Sequence, residues 1–357
     1  MRILHTEASR GWGGQEIRIL TEARVFRAHG HDVHLLANAD AEILAAAPRY
    51  GVPATAIDLT RKSLGSLQAM RRFLRDWRPD VVNPHSSIDG WMVALARLGL
   101  EHRPRVVRTR HISAPIPRNF ASRWLYRRGC DFIMTTGEMI VEQLTADRFV
   151  APDHIASVPT GIDTDLYAPG DRARARAALG LPADAWVVGT IATLRSWKGH
   201  SYLVDAFARL ADPAARLVIV GDGPQEVALR DQVAALGLAD RVLLAGRRDD
   251  VPTWLAALDV FALASYANEG VPQAILQAMA AELPIVSCPI GGIPECTRDV
   301  PSVTLVTPRD ADALHAALAA MRATPPSPEM RAAGRARVLD RFSLERMYRT
   351  VLGCFEG

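Results

Sequence analysis

Cysteine is scarce in this chain. Its 357 residues include four, Cys130, Cys288, Cys296 and Cys354. None belongs to a Cys-x-x-Cys pair, and no Cys/His cluster has zinc-ligand spacing. These absences argue against a disulfide framework and a structural zinc, and four reduced, mostly buried thiols are expected. Long apolar runs are missing too: none approaches the ~20 residues that span a bilayer. The N-terminus opens directly on an apolar strand, Met1-Arg2-Ile3-Leu4, without the charged-then-apolar layout of a signal peptide. A cytoplasmic location is the expectation, with a membrane surface left open as a partner. Net charge is only +3, with 23% charged residues. A dedicated nucleic-acid binder would carry a larger basic excess, so nucleic acid is not an expected partner.

Apolar residues are plentiful, at 49%, enough for two cores in a chain long for one domain. Short apolar, β-branched runs alternate with amphipathic segments. Strands are expected at Asp32–Ala37, Asp80–Asn83, Arg105–Thr109 and Phe132–Thr135 in the first half. In the second half they are expected at Trp186–Ala192, Arg216–Val220, Arg241–Leu244, Val260–Leu263 and Pro284–Ser287. Runs apolar through most of their length suit parallel strands covered on both faces. Between them, patterns such as Tyr202–Leu210 and Arg172–Leu179 read as helices. The alternation implies βαβ units and an α/β fold with parallel sheets. It pauses at Pro159-Thr160-Gly161 and Pro169-Gly170, which read as an interdomain hinge. The expected division is an N-terminal Rossmann-like domain over 1–165 and a C-terminal one over 166–342. A final helix over 343–357 is expected to pack back on the first domain.

Chemistry concentrates in Ala264–Ala281. A strand ends at Leu263, Asn268-Glu269-Gly270 forms a polar turn, and Pro272 stands where the first helical residue is expected. That puts Glu269 and the Gly270 and Val271 amides at a helix N-terminus beside the carboxyl end of a strand, where open α/β sheets bind ligands. Amides there can donate to hydroxyls or phosphate. From spacing alone, Glu269 serves equally well as a carboxylate favourably placed at a positive helix end.

The run Glu269-Gly270-Val271-Pro272 through Gln277-Ala278-Met279-Ala280 resembles the signature of retaining glycosyltransferases of sequence family four, also called glycosyl transferases group 1. That family has the GT-B fold: two Rossmann-like domains with parallel sheets facing across a cleft. The resemblance implies that Glu269 lies by the transferred sugar and that Gly270, Val271 and Pro272 line the donor site. Gln277 stands where the family has a second Glu that holds the ribose diol, and an amide can still donate and accept there, without charge. Thr193–Gly199 resembles the family's basic loop, which makes Lys198 and Arg195 the groups gripping the donor diphosphate. Fixed cations there would stabilise the leaving group as its charge grows. Gly11–Glu16 resembles the N-terminal glycine loop, with Gly13 and Gly14 near phosphate or sugar. His111 stands where the family carries a His facing the transferred sugar, and His85 is a weaker candidate for the acceptor side. The triplet Asp163-Thr164-Asp165 suits turn and capping roles better than a metal site.

The resemblance implies a metal-independent hexosyltransferase that needs no cofactor. Its donor is a nucleotide-sugar, UDP-linked by family frequency, and its acceptor a glycan or lipid-linked molecule, as in bacterial envelope polysaccharide assembly. Glu269 and His111 would orient the hexose, with attack from the leaving-group face. Two basic-aromatic helices offer a surface for anionic lipid: Met70–Arg78, and the stretch carrying Arg118, Arg123, Arg127 and Arg128. The alternatives are a non-catalytic nucleotide-sugar-binding subunit, a nucleotide-sugar 2-epimerase of the same architecture, and a Rossmann dehydrogenase. The dinucleotide fingerprint of the last is poor.

Overall fold

The computed structural model describes residues 1–112, 114–210 and 212–357. It divides into two units, Met1–Gly161 with Leu344–Gly357, and Ile162–Ser343. The division falls at Gly161 rather than after residue 165. Ile162 forms a parallel bridge with Ser343, and its N–H donates to the Phe342 carbonyl at 2.7 Å, which ties residues 162–165 to the second unit. Asp163 there caps a turn, accepting from the Leu166 N–H at 3.1 Å.

The first unit holds seven strands: β1 (Arg2–Glu7), β2 (Asp32–Ala37), β3 (Ala54–Ala56), β4 (Val81–Pro84), β5 (Arg105–Arg110), β6 (Phe132–Thr135) and β7 (Ile155–Ser157). Their order across the sheet is β3-β2-β1-β4-β5-β6-β7, with every pair parallel. The chain therefore winds outward one way from β1 and then the other way from β4. The crevice where winding reverses, between β1 and β4, is where such sheets bind ligands. The helix Leu344–Glu356 belongs to this unit. Its Tyr348 stacks on His29, ring centroids 3.8 Å apart, and meets Phe26 edge-on.

The second unit has β8 (Val187–Ile191), β9 (Arg216–Val220), β10 (Val242–Gly246), β11 (Val260–Leu263), β12 (Ile285–Ser287) and β13 (Val303–Leu305), in the order β10-β9-β8-β11-β12-β13. Its reversal lies between β8 and β11. The central strands are fully covered: Val187, Val188, Leu217, Val218, Ile219, Phe261 and Ala262 have no exposed surface. Each of the larger side chains among them contributes ~1.5–3 kcal/mol of burial.

The strands absent from the sequence-based expectation are β3, β7 and β13, each a three-residue edge strand. An edge strand is short and covered on fewer sides, so its apolar signal fades. Pro272 also sits one position earlier than expected. It is the N-cap, with ψ 123°, and the helix runs Gln273–Ala280. The extended ψ lets the Pro272 carbonyl open the helix by accepting from Leu276 at 3.3 Å.

Candidate active site

In the second unit the loops after β8 and β11 meet at the reversal point. Lys198 Nζ donates to Glu269 Oε1 at 2.6 Å, and Ser265 Oγ donates to the same oxygen at 2.6 Å. Glu269 is buried, and the lysine is partly exposed. A carboxylate buried this deeply persists because two donors converge on it. The loops are locked together by backbone: the Tyr266 N–H donates to the Trp197 carbonyl at 2.8 Å.

Two glycines set how closely the loops approach. At Gly199, φ is +69°, and a Cβ would stand 2.1 Å from the Ala264 carbonyl oxygen. At Gly291, φ is +59°, and a Cβ would stand 2.2 Å from the carbonyl oxygen of Glu269 itself. Gly237 in the same unit has φ +66° with nothing within 4 Å of its would-be Cβ. Gly237→Ala should therefore bear only the left-handed backbone cost of ~1–2 kcal/mol. Gly291→Ala should bear that cost plus displacement of the Glu269 loop. Thermal melts should show the Gly291 variant losing at least twice the Tm of the Gly237 variant. Equal losses would remove the idea that this contact positions Glu269.

Gly270 and Val271 follow Glu269, and the Gly270 carbonyl accepts from the Gly292 N–H at 3.0 Å. Gln277 is half-buried on the helix Gln273–Ala280. Arg195 is exposed, its guanidinium 5.8 Å from the centre of the Trp197 ring. The structure thus brings together Lys198 and Glu269, while Arg195 makes no ion pair among the described residues. His200, next to Lys198, is buried with neither ring nitrogen hydrogen-bonded, and burial pulls its pKa down to about 4.

In the first unit, Gly13 is the N-cap of the helix Gly14–Ala28, which leaves the carboxyl end of β1. Around the reversal point lies a network the sequence-based reading passed over. Glu7 accepts from the Ser9 N–H at 2.6 Å and from the Gln15 and Ser86 side chains. Burial, and then the nearby Asp89 carboxylate, push the Glu7 pKa up to about 8. Asp89 accepts from Thr6 Oγ1 and the His85 N–H, both at 2.9 Å, and from the Ser86 N–H. His111 follows β5. Its Nε2 lies 3.0 Å from His85 Nδ1, and His85 Nε2 lies 2.9 Å from His5 Nδ1. The signal for this network was present in β1: His5-Thr6-Glu7 is a polar triplet ending a strand whose sheet is covered on both faces.

The basic stretch after β5 is partly engaged by its own unit. Arg118 donates to the Ala146 and Gln143 carbonyls, both at 2.8 Å, and Arg127 to those of Phe149 and Arg148. These two guanidiniums tie down the turn 145–149. Arg118, Arg127 and Arg128 remain exposed, as does Phe120 at 85%, while Arg123 is half-buried, its guanidinium 5.9 Å from the centre of the Phe149 ring. The thiols of Cys130, Cys288 and Cys296 are buried and that of Cys354 half-buried, all free. Among the described residues no helix is long and apolar enough to cross a membrane.

Known proteins resemble this chain in fold and sequence. A glycosyltransferase of Rickettsia africae superposes with TM-score 0.88 at 18% identity, over 99% of this chain and 97% of that one. Anabaena HepE, crystallised with UDP-glucose, superposes with TM-score 0.87 at 22% identity, over 100% and 99%. These likenesses establish the GT-B fold. The D-inositol 3-phosphate glycosyltransferase of Saccharomonospora viridis is 32% identical over 247 residues, 64% of this chain and 57% of that protein. That of Mycobacteroides abscessus is 36% identical over 166 residues, 44% and 37%. The chain spans about half the length of the curated relatives it matches. Residues 12–166 match the family described as Glycosyltransferase Family 4, and residues 185–323 match Glycosyl transferases group 1. With both units matched in turn, the chain belongs to the family-four, group 1 glycosyltransferases.

Proposed function

We propose that this protein transfers a hexose from a nucleotide-sugar, UDP-linked, to a glycan or lipid-linked acceptor with retention of configuration. The observation that carries the reading is the buried Lys198–Glu269 pair at the reversal point of the second sheet. In that unit Lys198, with Arg195 beside it, stabilises the departing diphosphate. Glu269 turns Oε2 toward a sugar hydroxyl, and the Gly270, Val271 and Pro272 loop with Gln277 completes the donor contacts. In the first unit His111 meets the transferred sugar, and Gly13 and Gly14 let backbone approach the donor. The cations are the protein's own, so the reaction needs no metal. Support for the donor class comes from the Anabaena complexes with UDP and UDP-glucose. The acceptor class fits envelope glycan assembly, with the stretch carrying Arg118, Arg123, Arg127 and Arg128 as the surface that would approach anionic lipid.

Melting the protein with UDP-, GDP- and ADP-hexoses, and assaying nucleoside diphosphate release, tests this. At a hundred Kd of donor, stabilisation should be ~2.7 kcal/mol, or several degrees in Tm. UDP-hexose should give both the shift and slow UDP release. Silence with every donor would sink the proposal. A shift without release or transfer would favour a binding subunit, the reading that Gln277 at the family's second acidic position supports.

A further inference from the structure

His5, His85 and His111 stand at the carboxyl ends of the three adjacent strands β1, β4 and β5. Their rings are joined in series by two nitrogen–nitrogen hydrogen bonds of 2.9 and 3.0 Å. Neighbouring centroids are 5.2 Å apart in both pairs. His5 and His85 are buried, and His111 alone is partly exposed. A neutral imidazole has one N–H and one lone pair. His85 uses both nitrogens, so it must donate one way and accept the other. The series therefore has only two proton arrangements, and choosing the tautomer of one ring chooses all three.

The two arrangements differ at their ends. In one, His5 Nε2 carries a proton; in the other, His111 Nδ1 does. His5 Nε2 is buried and has no hydrogen-bond partner. A buried orphan N–H is the rarer defect, so the lone pair belongs there. We infer that His85 and His5 are positioning residues. His5 Nδ1–H donates to His85 Nε2, His85 Nδ1–H donates to His111 Nε2, and His111 is thereby fixed as the Nδ1–H tautomer, a hydrogen-bond donor at the partly exposed end of the relay.

The surroundings agree. Burial and the cations of Arg18 and Arg110 hold the rings well below the usual imidazole range, so the neutral forms prevail near pH 7. Asn83 faces His5 from β4 and alone opposes the fall of its pKa. Its Nδ2, however, donates to the Val107 carbonyl and to Thr109 Oγ1 at 2.9 Å, while its Oδ1 accepts from the Thr109 hydroxyl at 3.2 Å, so it closes no hydrogen bond to His5 Nε2. Asp89 is engaged by the His85 N–H and by Thr6, so it anchors the backbone rather than the ring. A donor at His111 suits a sugar hydroxyl oxygen. This use of the relay rests on the proposed role of His111, whereas the tautomer order does not.

The test uses protein labelled with ¹⁵N at histidine, and ¹⁵N–¹³C correlation spectra read the tautomer of each ring directly. His111→Ala assigns the His111 signals. Expected in the unaltered protein is a protonated Nδ1 and an unprotonated Nε2 at His111, unchanged from pH 6.5 to 8. His85→Leu should mix the His111 tautomers. His85→Gln, whose amide can accept from His5 and donate to His111, should restore the single form. Transfer should follow with kcat down roughly ten- to a hundredfold in His85→Leu, the range for losing the partner that orients a functional imidazole. Donor KM should stay within about twofold, and His85→Gln should recover most of the loss. A protonated Nε2 at His111 in the unaltered protein would overturn the inference, whether or not His85→Leu folds. Unchanged His111 shifts in a folded His85→Leu would do the same. Absence of transfer by the unaltered protein counts against the proposed function and leaves the spectra to decide the relay.

Discussion

Replacing Lys198 by alanine should lower donor turnover by roughly a thousandfold, the usual scale for removing one preorganised stabiliser of developing negative charge. It should also destabilise the second unit, for a separate reason. Glu269 is buried, and Lys198 is its only ion-pair partner among the described residues. Breaking a buried pair from one side leaves an uncompensated charge, at ~3–5 kcal/mol in full burial. Here Lys198 is partly exposed and Ser265 still donates to Glu269, so about 2 kcal/mol is the expected loss. The two effects separate in a double variant. Lys198→Met with Glu269→Gln removes both charges and keeps the Ser265 bond, so Tm should return close to its starting value while activity stays absent. Thermal melts and steady-state assays on both single variants and the double variant complete the cycle. Near-normal turnover in Lys198→Ala and Glu269→Ala together would remove this site from the chemistry. Loss of activity that returned with stability in the double variant would make the pair structural.

What the sequence declares follows from how each element is covered. Phe132–Thr135, Arg216–Val220 and Val260–Leu263 are legible to the residue because sheets covered on both faces leave apolar runs. Ala54–Ala56 and Val303–Leu305 lie at sheet edges with exposed residues, and no comparable run marks them. The loops bearing Lys198 and Glu269 are legible for another reason: their residue types follow strands and open helices. Their direct ion pair is not, since the residues are 71 positions apart and only the strand order makes β8 and β11 neighbours. The same holds for His5, His85 and His111, which come from three strands that are not all consecutive. Single histidines in or just after separate strands read as unrelated until the β1–β4–β5 adjacency joins them. In the basic stretch Arg118 and Arg127 are exposed as composition suggests, but their bonds to carbonyls of the neighbouring turn are a tertiary arrangement that charge spacing does not encode.

Stability of the first unit should peak near pH 6.5 and fall on both sides. Folding holds His5, His85 and His111 below the unfolded value of 6.5, His5 at about 3. Their stabilising contribution is complete above pH 6.5 and is lost as pH falls, because the unfolded chain takes up protons the folded one refuses. His5 alone costs ~1.4 kcal/mol per pH unit, or about 2 kcal/mol by pH 5. His85 and His111 add to that loss in the same direction. Glu7 acts in the opposite sense. Its folded pKa of about 8 exceeds the unfolded 4.5, so its contribution is complete below pH 4.5 and is lost as pH rises toward 8. Asp89, also raised by burial, adds to that trend just above its unfolded value of 3.8. Below pH 6.5 His31 and His34, also lowered by burial, join the three rings of the relay. Against them stand Glu7, Glu16 and Glu22, whose carboxyls burial raises, a net of at most two protons that makes stability fall with acid. Above pH 6.5 the raised carboxyls act without the histidines, Glu7 with its folded value of about 8 among them. Urea unfolding from pH 4.5 to 8.5, followed by hydrogen exchange in each unit, measures both limbs. Glu7→Gln should flatten the alkaline limb and make the protein more stable than its parent at pH 8. His85→Gln should reduce the acid slope by about one proton. An acid slope indifferent to His85, or an alkaline limb undiminished by Glu7→Gln, would place the titrating groups elsewhere. The second unit should be less acid-sensitive, since His200 is its only histidine with a depressed pKa among the described residues. In mild acid the first unit should therefore open while the sheet carrying Lys198 and Glu269 stays folded, so donor affinity in that unit should outlast transfer as pH is lowered.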